Sequence, residues 1–329
     1  MIVKTYFPKK TVTNRDLEKE FPEWTAEKIQ DKVGITSRHI ASDEETPLDL
    51  AEQACKALFS DHPEIQGSVD FLLFCTQNPD HILPGNSSLL QNRLGLSTEI
   101  GALDYNLGCS GYVYGLSLAK GLLLSHTAKG VLLVTAEAYT KRINPKDKGN
   151  RSIFGDAATV TFLTEADAEC MGKFVLGTDG NGAGNLIIRN GGLRFPQGNA
   201  EEKVYGSGNI YTDNDLFMDG PEIFNFTIET VPALIKKTLK KNAMEQKDIR
   251  MFILHQANSY ILSFLRKITR IPENQFYLNM VNIGNTVSST IPVALEDLLE
   301  SNQIQSGDKV LVAGFGVGYS YGATILTIS

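Results

Sequence analysis

The chain is poor in the residues that metal centres and disulfide scaffolds require. It carries four cysteines and five histidines in 329 residues. Cys55, Cys75, Cys109 and Cys170 are widely spaced, with no CxxC pair. That argues against zinc sites and structural disulfides and suits a reducing cytoplasm. Positive charge is also lacking. A net charge of −7 argues against general binding to nucleic acid or a membrane surface, while leaving room for a local basic patch. No apolar run reaches the ~18–20 residues of a membrane span. Met1-Ile2-Val3-Lys4-Thr5 lacks the apolar core of a signal peptide. A cytoplasmic globular protein with no metal and no membrane insertion is the expectation.

With 42% hydrophobic residues, the chain can bury a large core, and its length suggests two domains or one duplicated domain. Thr13-Asn14 predicts a helix cap, with a helix through Phe21. Trp24 to Val33 predicts a second helix ended by Gly34, and Pro47 to Phe59 a third. Continuous apolar runs at Phe71–Cys75 and Val131–Thr135 suit buried strands. Further strands are expected at Ala157–Leu163, Phe174–Leu176, Phe252–Leu254 and Val310–Ala313. Helices are expected at Asn86–Leu94, Pro221–Lys241 and Ser289–Leu299. Residues 177 to 192 are glycine-rich and read as turns, without the Lys-Ser/Thr of a phosphate cradle. Asp213-Asn214-Asp215 lacks the spacing of a calcium loop. Strands alternating with helices indicate an α/β fold.

A repeat runs through this order. Phe71-Leu72-Leu73-Phe74-Cys75 returns 180 residues later as Met251-Phe252-Ile253-Leu254-His255. Val131-Leu132-Leu133-Val134 returns 179 residues later as Val310-Leu311-Val312-Ala313. Cys109 and Asn285, each ahead of a helix, stand 176 residues apart. A period this long is a duplicated domain rather than a solenoid. Residues 1–165 and 166–329 are the expected halves, packed about a pseudo-twofold axis. Their small-faced helices should meet at the centre. Pro292 fits only the first turn of the second helix.

Cys109 lies in Gly108-Cys109-Ser110-Gly111-Tyr112, where free N–H groups and the helix dipole would favour a thiolate. Gly111, Gly115 and Ala119 form a smooth stripe that would let another helix approach closely. The repeat brings Cys109 near His255, at a strand end, and Asn285, in a turn. A thiol with an imidazole and a carboxamide beside it can form a thioester and polarise a carbonyl. A neutral histidine and an amide can each donate to a developing oxyanion, whereas a carboxylate at position 285 would repel it.

These residues lie in Cys109-Ser110-Gly111, Phe154-Gly155-Asp156, His255-Gln256-Ala257-Asn258, Gly284-Asn285-Thr286 and Gly314-Phe315-Gly316-Val317-Gly318. With them the chain resembles the β-ketoacyl-acyl-carrier-protein synthase III group of the thiolase superfamily, from Tyr6-Phe7-Pro8 to Tyr321-Gly322. The resemblance implies a thiolase-like fold, two similar halves in a layered αβαβα arrangement, and a homodimer. It implies that Cys109 takes an acyl group from a thioester. His255 and Asn285 would bind the malonyl-carrier-protein carbonyl and stabilise the enolate left by decarboxylation. The backbone N–H groups of Cys109 and Val317 would form the oxyanion hole. Substrate would meet Lys28, Leu83, Lys148, Phe154, Met218, Phe224, Ala257 and Asn258, with Leu83 reaching the partner's site. Acyl carrier protein would dock on Gln256, Tyr260, Arg266, Lys267 and Arg270. Lys236, Lys237, Lys240 and Lys241 form a second basic cluster. Beyond thioester substrates on carrier protein or coenzyme A, no cofactor is implied.

The chain departs from the family pattern at the adenine clasp. Lys28 and Lys148 stand where the family uses tryptophan and arginine, and Trp24 lies one turn earlier. Pro221 replaces an asparagine, Tyr260 a basic residue, and Leu83 a phenylalanine gate. A donor other than short acyl-CoA, a longer acyl pocket and a specialised lipid or secondary pathway are therefore expected. Three rivals remain. One is acyl transfer to a hydroxyl or amine, and one is a Cys–His–Asn hydrolase, which would need a glutamine ahead of Cys109. The last is a non-catalytic scaffold.

Overall fold

The computed structural model describes residues 1–198 and 200–329. Two sheets organise the described residues. In the first, the spatial order is Ile2–Tyr6, Ala157–Thr164, Gly130–Glu137, Phe71–Cys75 and Gly101–Tyr105. In the second it is Val175–Thr178, Ser320–Thr327, Lys309–Gly316 and Met251–Leu254. The two orders are the same arrangement used twice. Phe71 pairs with Val131 in parallel, and Met251 pairs with Val310 in parallel. The edge strand Gly101–Tyr105 has its counterpart in a single parallel bridge, Phe252 to Phe276. The repeat read from the apolar runs is thus a repeat of strand register.

Three apolar cores alternate with the sheets. Helix Pro47–Asp61 covers the outer face of the first sheet, with Leu50, Ala54 and Leu58 against Leu72, Leu132 and Val160. Helices Gly220–Lys241 and Ser259–Thr269 cover the outer face of the second, with Val231, Leu234 and Leu262 against Phe252 and Leu311. Between the sheets lie Gly111–Leu124 and Thr290–Glu300, whose Val113, Leu116, Ile291 and Leu295 share one core with Leu133 and Val312. Strand Gly130–Glu137 is buried throughout. This explains its continuous apolar sequence, because both of its faces meet helices. No helix among the described residues is long and apolar enough to cross a membrane.

Local signals set the helix ends; Thr13 and Gly34 act as expected, while Thr25 starts the second helix at Ala26 rather than Trp24. Thr13, Thr25 and Thr46 cap their helices through side-chain hydrogen bonds, and Gly34 ends one with φ 71°. Pro292 sits in the first turn of Thr290–Glu300, where no intrahelical N–H is needed. A short 3-10 turn, Val287–Ser289, precedes that helix.

The small-residue stripe behaves differently from expectation. A Cβ at Gly115 would collide with the Tyr105 hydroxyl and lie 2.5 Å from Leu133 Cδ1, and one at Gly111 would meet Cys75 Sγ. The stripe therefore seats the central helix on the first sheet rather than on a second helix. Strands Gly101–Tyr105 and Ser320–Thr327 carry no clear sequence signal of their own. The first is an edge strand of mixed exposure, and the second is set by pairing with Lys309–Gly316.

Candidate active site

Cys109 immediately precedes the helix start, with Ser110 as the capping residue of Gly111–Leu124. The strand Lys309–Gly316 of the second half crosses this turn at very short range. A Cβ on Gly314 would stand 2.5 Å from the Cys109 carbonyl oxygen, and one on Gly316 2.9 Å from Cys109 Sγ. Only glycine lets the two backbones approach so closely. The Ser110 and Ser320 hydroxyls, 2.6 Å apart, tie the turn to the hairpin beyond, and Ser320 also donates to the Val317 carbonyl. Among the described residues, neither the Cys109 nor the Val317 N–H donates to a backbone acceptor.

His255 follows strand Met251–Leu254, and its N–H donates to the Ala313 carbonyl at 2.8 Å. Its ring lies edge-on to Phe315, with Nδ1 2.7 Å from Thr290 Oγ1. Asn285 is held from both sides of its backbone: its N–H donates to Ile153 O and its carbonyl accepts from Gly155 N. The Val287 N–H donates to Asn285 Oδ1 at 2.9 Å, so Nδ2 is the end that faces His255 Nε2, 3.5 Å away. Gly284 at φ 79° and Val287 at φ 56° bend the chain around Asn285. A β-branched residue in the left-handed region is strained, and such strain gathers at functional sites.

Cys109, His255 and Asn285 line one cavity of about 130 Å³. Most of its wall is apolar, including Ile153, Phe154, Met218, Ile223 and Phe315. Burial pushes the Cys109 thiol up to about 12, helped by the nearby Glu137 carboxyl. This departs from the expectation of a thiolate held by the helix end, because burial disfavours the charged form. Burial also drives His255 down to about 3, so its imidazole is neutral. Glu137 is itself pushed up to about 8 by burial, although it accepts from Gln77 N, Asn78 Nδ2 and Ser288 Oγ. Asp156 is structural, accepting from the Ala41 N–H and from both the N–H and the hydroxyl of Thr140.

Of the other expected residues, Phe154, Met218, Ala257 and Asn258 line the cavity. Met218 arrives there because Phe217–Met218 pairs with Leu186–Ile187, a short strand inside the glycine-rich stretch. Phe224 does not line the cavity; its ring packs on Tyr260 and Phe264 at 5.6 and 5.2 Å, while Ile223 turns inward. Leu83 is 80% exposed and stands away from this chain's own cavity. Lys28 and Lys148 are also outside it. Lys148 pairs with Glu23 at 2.8 Å, and Lys28 donates to the Glu23 carbonyl. Trp24 donates to Ser152 Oγ at 2.8 Å.

Gln256 requires a correction. It is buried, with Nε2 donating to the Leu254 and Tyr277 carbonyls and Oε1 accepting from Asn279 N. It braces the loop and presents nothing to a docking protein. Tyr260, Lys267 and Arg270 are exposed, and Arg266 is half-buried, 3.8 Å from Glu273. Tyr139, Thr227 and Thr290 escaped sequence reasoning. The first two join the cavity wall from a turn and a helix interior with no local motif. Thr290 follows the asparagine motif closely enough that its distance from Asn285 was its one available signal.

The chain is similar to known proteins along nearly its whole length. Residues 103–180 match the family 3-oxoacyl-[acyl-carrier-protein] synthase III, and residues 239–328 match the C-terminal family of the same synthase. The chain is 33% identical over 324 residues to the beta-ketoacyl-[acyl-carrier-protein] synthase III of Clostridium perfringens, covering 98% of this chain and 97% of that protein. It is 34% identical to synthase III 2 of Halalkalibacterium halodurans, covering 98% and 94%. A crystal structure of a 3-oxoacyl-(acyl-carrier-protein) synthase III superposes with TM-score 0.97 at 43% identity, covering 99% of this chain and 98% of the other.

With the Cys109 thiol lifted by burial, iodoacetamide alkylation of the resting protein should accelerate from about pH 6 to about pH 10 without levelling, because only the thiolate reacts. A plateau below about pH 8 in rates followed by peptide mass spectrometry would show a low-pKa thiolate instead.

Proposed function

Because this chain belongs to the 3-oxoacyl-[acyl-carrier-protein] synthase III family, we propose that it condenses a Cys109-bound acyl starter with malonyl-acyl-carrier protein to give a β-ketoacyl thioester. The observation that carries the site assignment is the convergence of Cys109 Sγ, the His255 ring and the Asn285 amide on one apolar cavity. In the first step Cys109 sulfur attacks the donor thioester. The donor C–S bond breaks, and the carrier leaves as a thiol with the cysteine proton. The transient oxyanion is received by the free N–H groups of Cys109 and Val317. In the second step the C–carboxylate bond of the malonyl group breaks and carbon dioxide leaves. The electron pair forms an enolate, whose oxygen accepts from His255 and Asn285. The enolate carbon attacks the acyl-cysteine carbonyl, and the cysteine sulfur departs and regains a proton. The thioester stores the activation, and buried donors are strongest on charge that develops in a site without water. Neutral His255 and Asn285 suit this role better than that of a hydrolase, whose nucleophile works as a thiolate beside an imidazolium.

The donor is proposed to be a carrier-protein thioester rather than a short acyl-CoA. The lysines at the adenine clasp are both engaged by Glu23, and Trp24 is tied to Ser152. No flat aromatic–guanidinium sandwich is formed, and the Lys148 ammonium is already paired with the Glu23 carboxylate. The apolar wall suits a longer or branched chain. Arg266, Lys267 and Arg270, at the far end of the helix whose first turn lines the cavity, give acidic carrier protein a basic surface, with Tyr260 exposed at the near end. A homodimer fits the free outer edge of strand Gly101–Tyr105 and the apolar loop in which Ile82 and Leu83 are 93% and 80% exposed.

Three outcomes test this reading. Cys109→Ser should abolish acyl-enzyme, while His255→Ala and Asn285→Ala should still acylate. Each of the latter should lose carbon dioxide release by roughly 3–4 kcal/mol in barrier, as oxyanion donors do elsewhere; equal loss of both steps would refute the division. Intact-protein mass spectrometry should show faster loading of Cys109 from medium-chain acyl-carrier protein than from acetyl-CoA. Efficient loading by micromolar acetyl-CoA, with no gain from chain length or carrier, would overturn the donor assignment. Sedimentation should give a dimer's mass; a monomer at assay concentration would end that part of the reading.

A further inference from the structure

The oxyanion role proposed for His255 makes a demand on its ring. Nε2 must carry the proton, because a bare Nε2 is an acceptor and would repel an enolate. In a neutral imidazole, the partner of Nδ1 decides this, and here that partner is the Thr290 hydroxyl at 2.7 Å. The same hydroxyl lies 3.2 Å from the Val287 carbonyl. One hydroxyl has one proton. Given to Val287, it leaves Thr290 as an acceptor, so Nδ1 carries the ring proton and Nε2 is bare. Given to Nδ1, it leaves the ring proton on Nε2.

Two observations select the second arrangement. The contact with Nδ1 has the length of a good O–H hydrogen bond, whereas that with Val287 is longer than such bonds usually are. On the other side of the ring, the Asn285 end facing Nε2 is the NH₂, fixed independently by the Val287 N–H on Oδ1. Its 3.5 Å separation from Nε2 is beyond the usual length of a protein hydrogen bond. It is what two donors keep when they stand side by side and aim at a common acceptor.

We propose that Thr290 is a positioning residue that donates its hydroxyl proton to His255 Nδ1 and thereby fixes the Nε2–H tautomer that the condensation step uses. No proton is transferred between these groups. His255 stays neutral while carbon dioxide leaves, and the enolate oxygen accepts from Nε2–H and Asn285 Nδ2–H together. Thr290 is buried at the start of helix Thr290–Glu300. The second half thus supplies the histidine, its orienting partner and the second donor from adjoining segments. The inference rests on the proposed condensation, but its main readout does not.

The test uses the full chain labelled with nitrogen-15 histidine, with a His255 variant to assign the ring among five histidines. Wild type should show the Nε2–H tautomer at neutral pH, Thr290→Ser should keep it, and Thr290→Val should shift toward Nδ1–H or a mixture. In steady state, Thr290→Val should slow carbon dioxide release from malonyl-carrier protein by about 10- to 100-fold, the range seen when orienting partners of histidine are removed from metal sites. Its KM should change little, and Thr290→Ser should restore most of the rate. A wild-type ring with bare Nε2 overturns the inference even where condensation is intact, and so does a valine variant with wild-type tautomer and rate. Wild type that shows the Nε2–H tautomer but releases no carbon dioxide sinks the proposed function and leaves the tautomer assignment standing.

Discussion

Everything at the site depends on how closely one strand of the second half passes the cysteine turn of the first. Gly314 and Gly316 leave no side chain between the Lys309–Gly316 backbone and Cys109. Val317, the residue after that strand, comes up against the same turn, its side chain lying where a Cβ on Gly108 would stand. The same strand holds His255 through the Ala313 carbonyl. One strand therefore fixes both the histidine and the segment that follows it relative to the cysteine carried by the other half. The serine pair Ser110–Ser320 ties the junction with a side-chain hydrogen bond. Such a junction transmits small backbone shifts directly to reacting atoms, since close-packed interiors have little slack.

The second property of the site is its neutrality. Burial raises the thiol and lowers the imidazole, so the resting groups are uncharged, and the amide is neutral at any pH. A site of this kind has little with which to activate water. It is suited to substrates that bring their own activation and their own charge. A thioester supplies the first and a malonyl carboxylate the second. In the proposed reaction the imidazole and the amide stand ready before the enolate forms, which keeps reorganisation small. Glu137 lies near the same centre, and the hydrogen bonds it accepts from Gln77, Asn78 and Ser288 link the end of one sheet to the turn before the central helix.

Away from the reacting atoms, the charged side chains are paired in ways that bear on substrate choice. Glu23 engages Lys148 with its carboxylate and Lys28 with its carbonyl. Two lysines that sequence alone leaves free for phosphate are thereby occupied. Lys267 and Arg270, by contrast, remain exposed at the end of helix Ser259–Thr269.

The sequence by itself determined the strands whose both faces are buried, the capped helix starts and the 180-residue repeat, because each is written in local pattern or its recurrence. It also singled out Cys109, His255 and Asn285, since a thiol, an imidazole and an amide at matching ends of a duplicated fold have few other readings. Tertiary structure alone decided which way neighbouring residues face. Ile223 enters the cavity while Phe224 packs outward on Tyr260 and Phe264. Gln256 turns inward to satisfy buried carbonyls, although its motif is a functional one. Met218 reaches the cavity through pairing with a short strand that glycine-rich composition conceals. The ionisation of Cys109 was likewise beyond the sequence. The helix start that favours a thiolate is local, whereas the burial that opposes it is assembled from Tyr139, Phe154 and Val287 and from the glycine strand of the second half, which meet only in the fold.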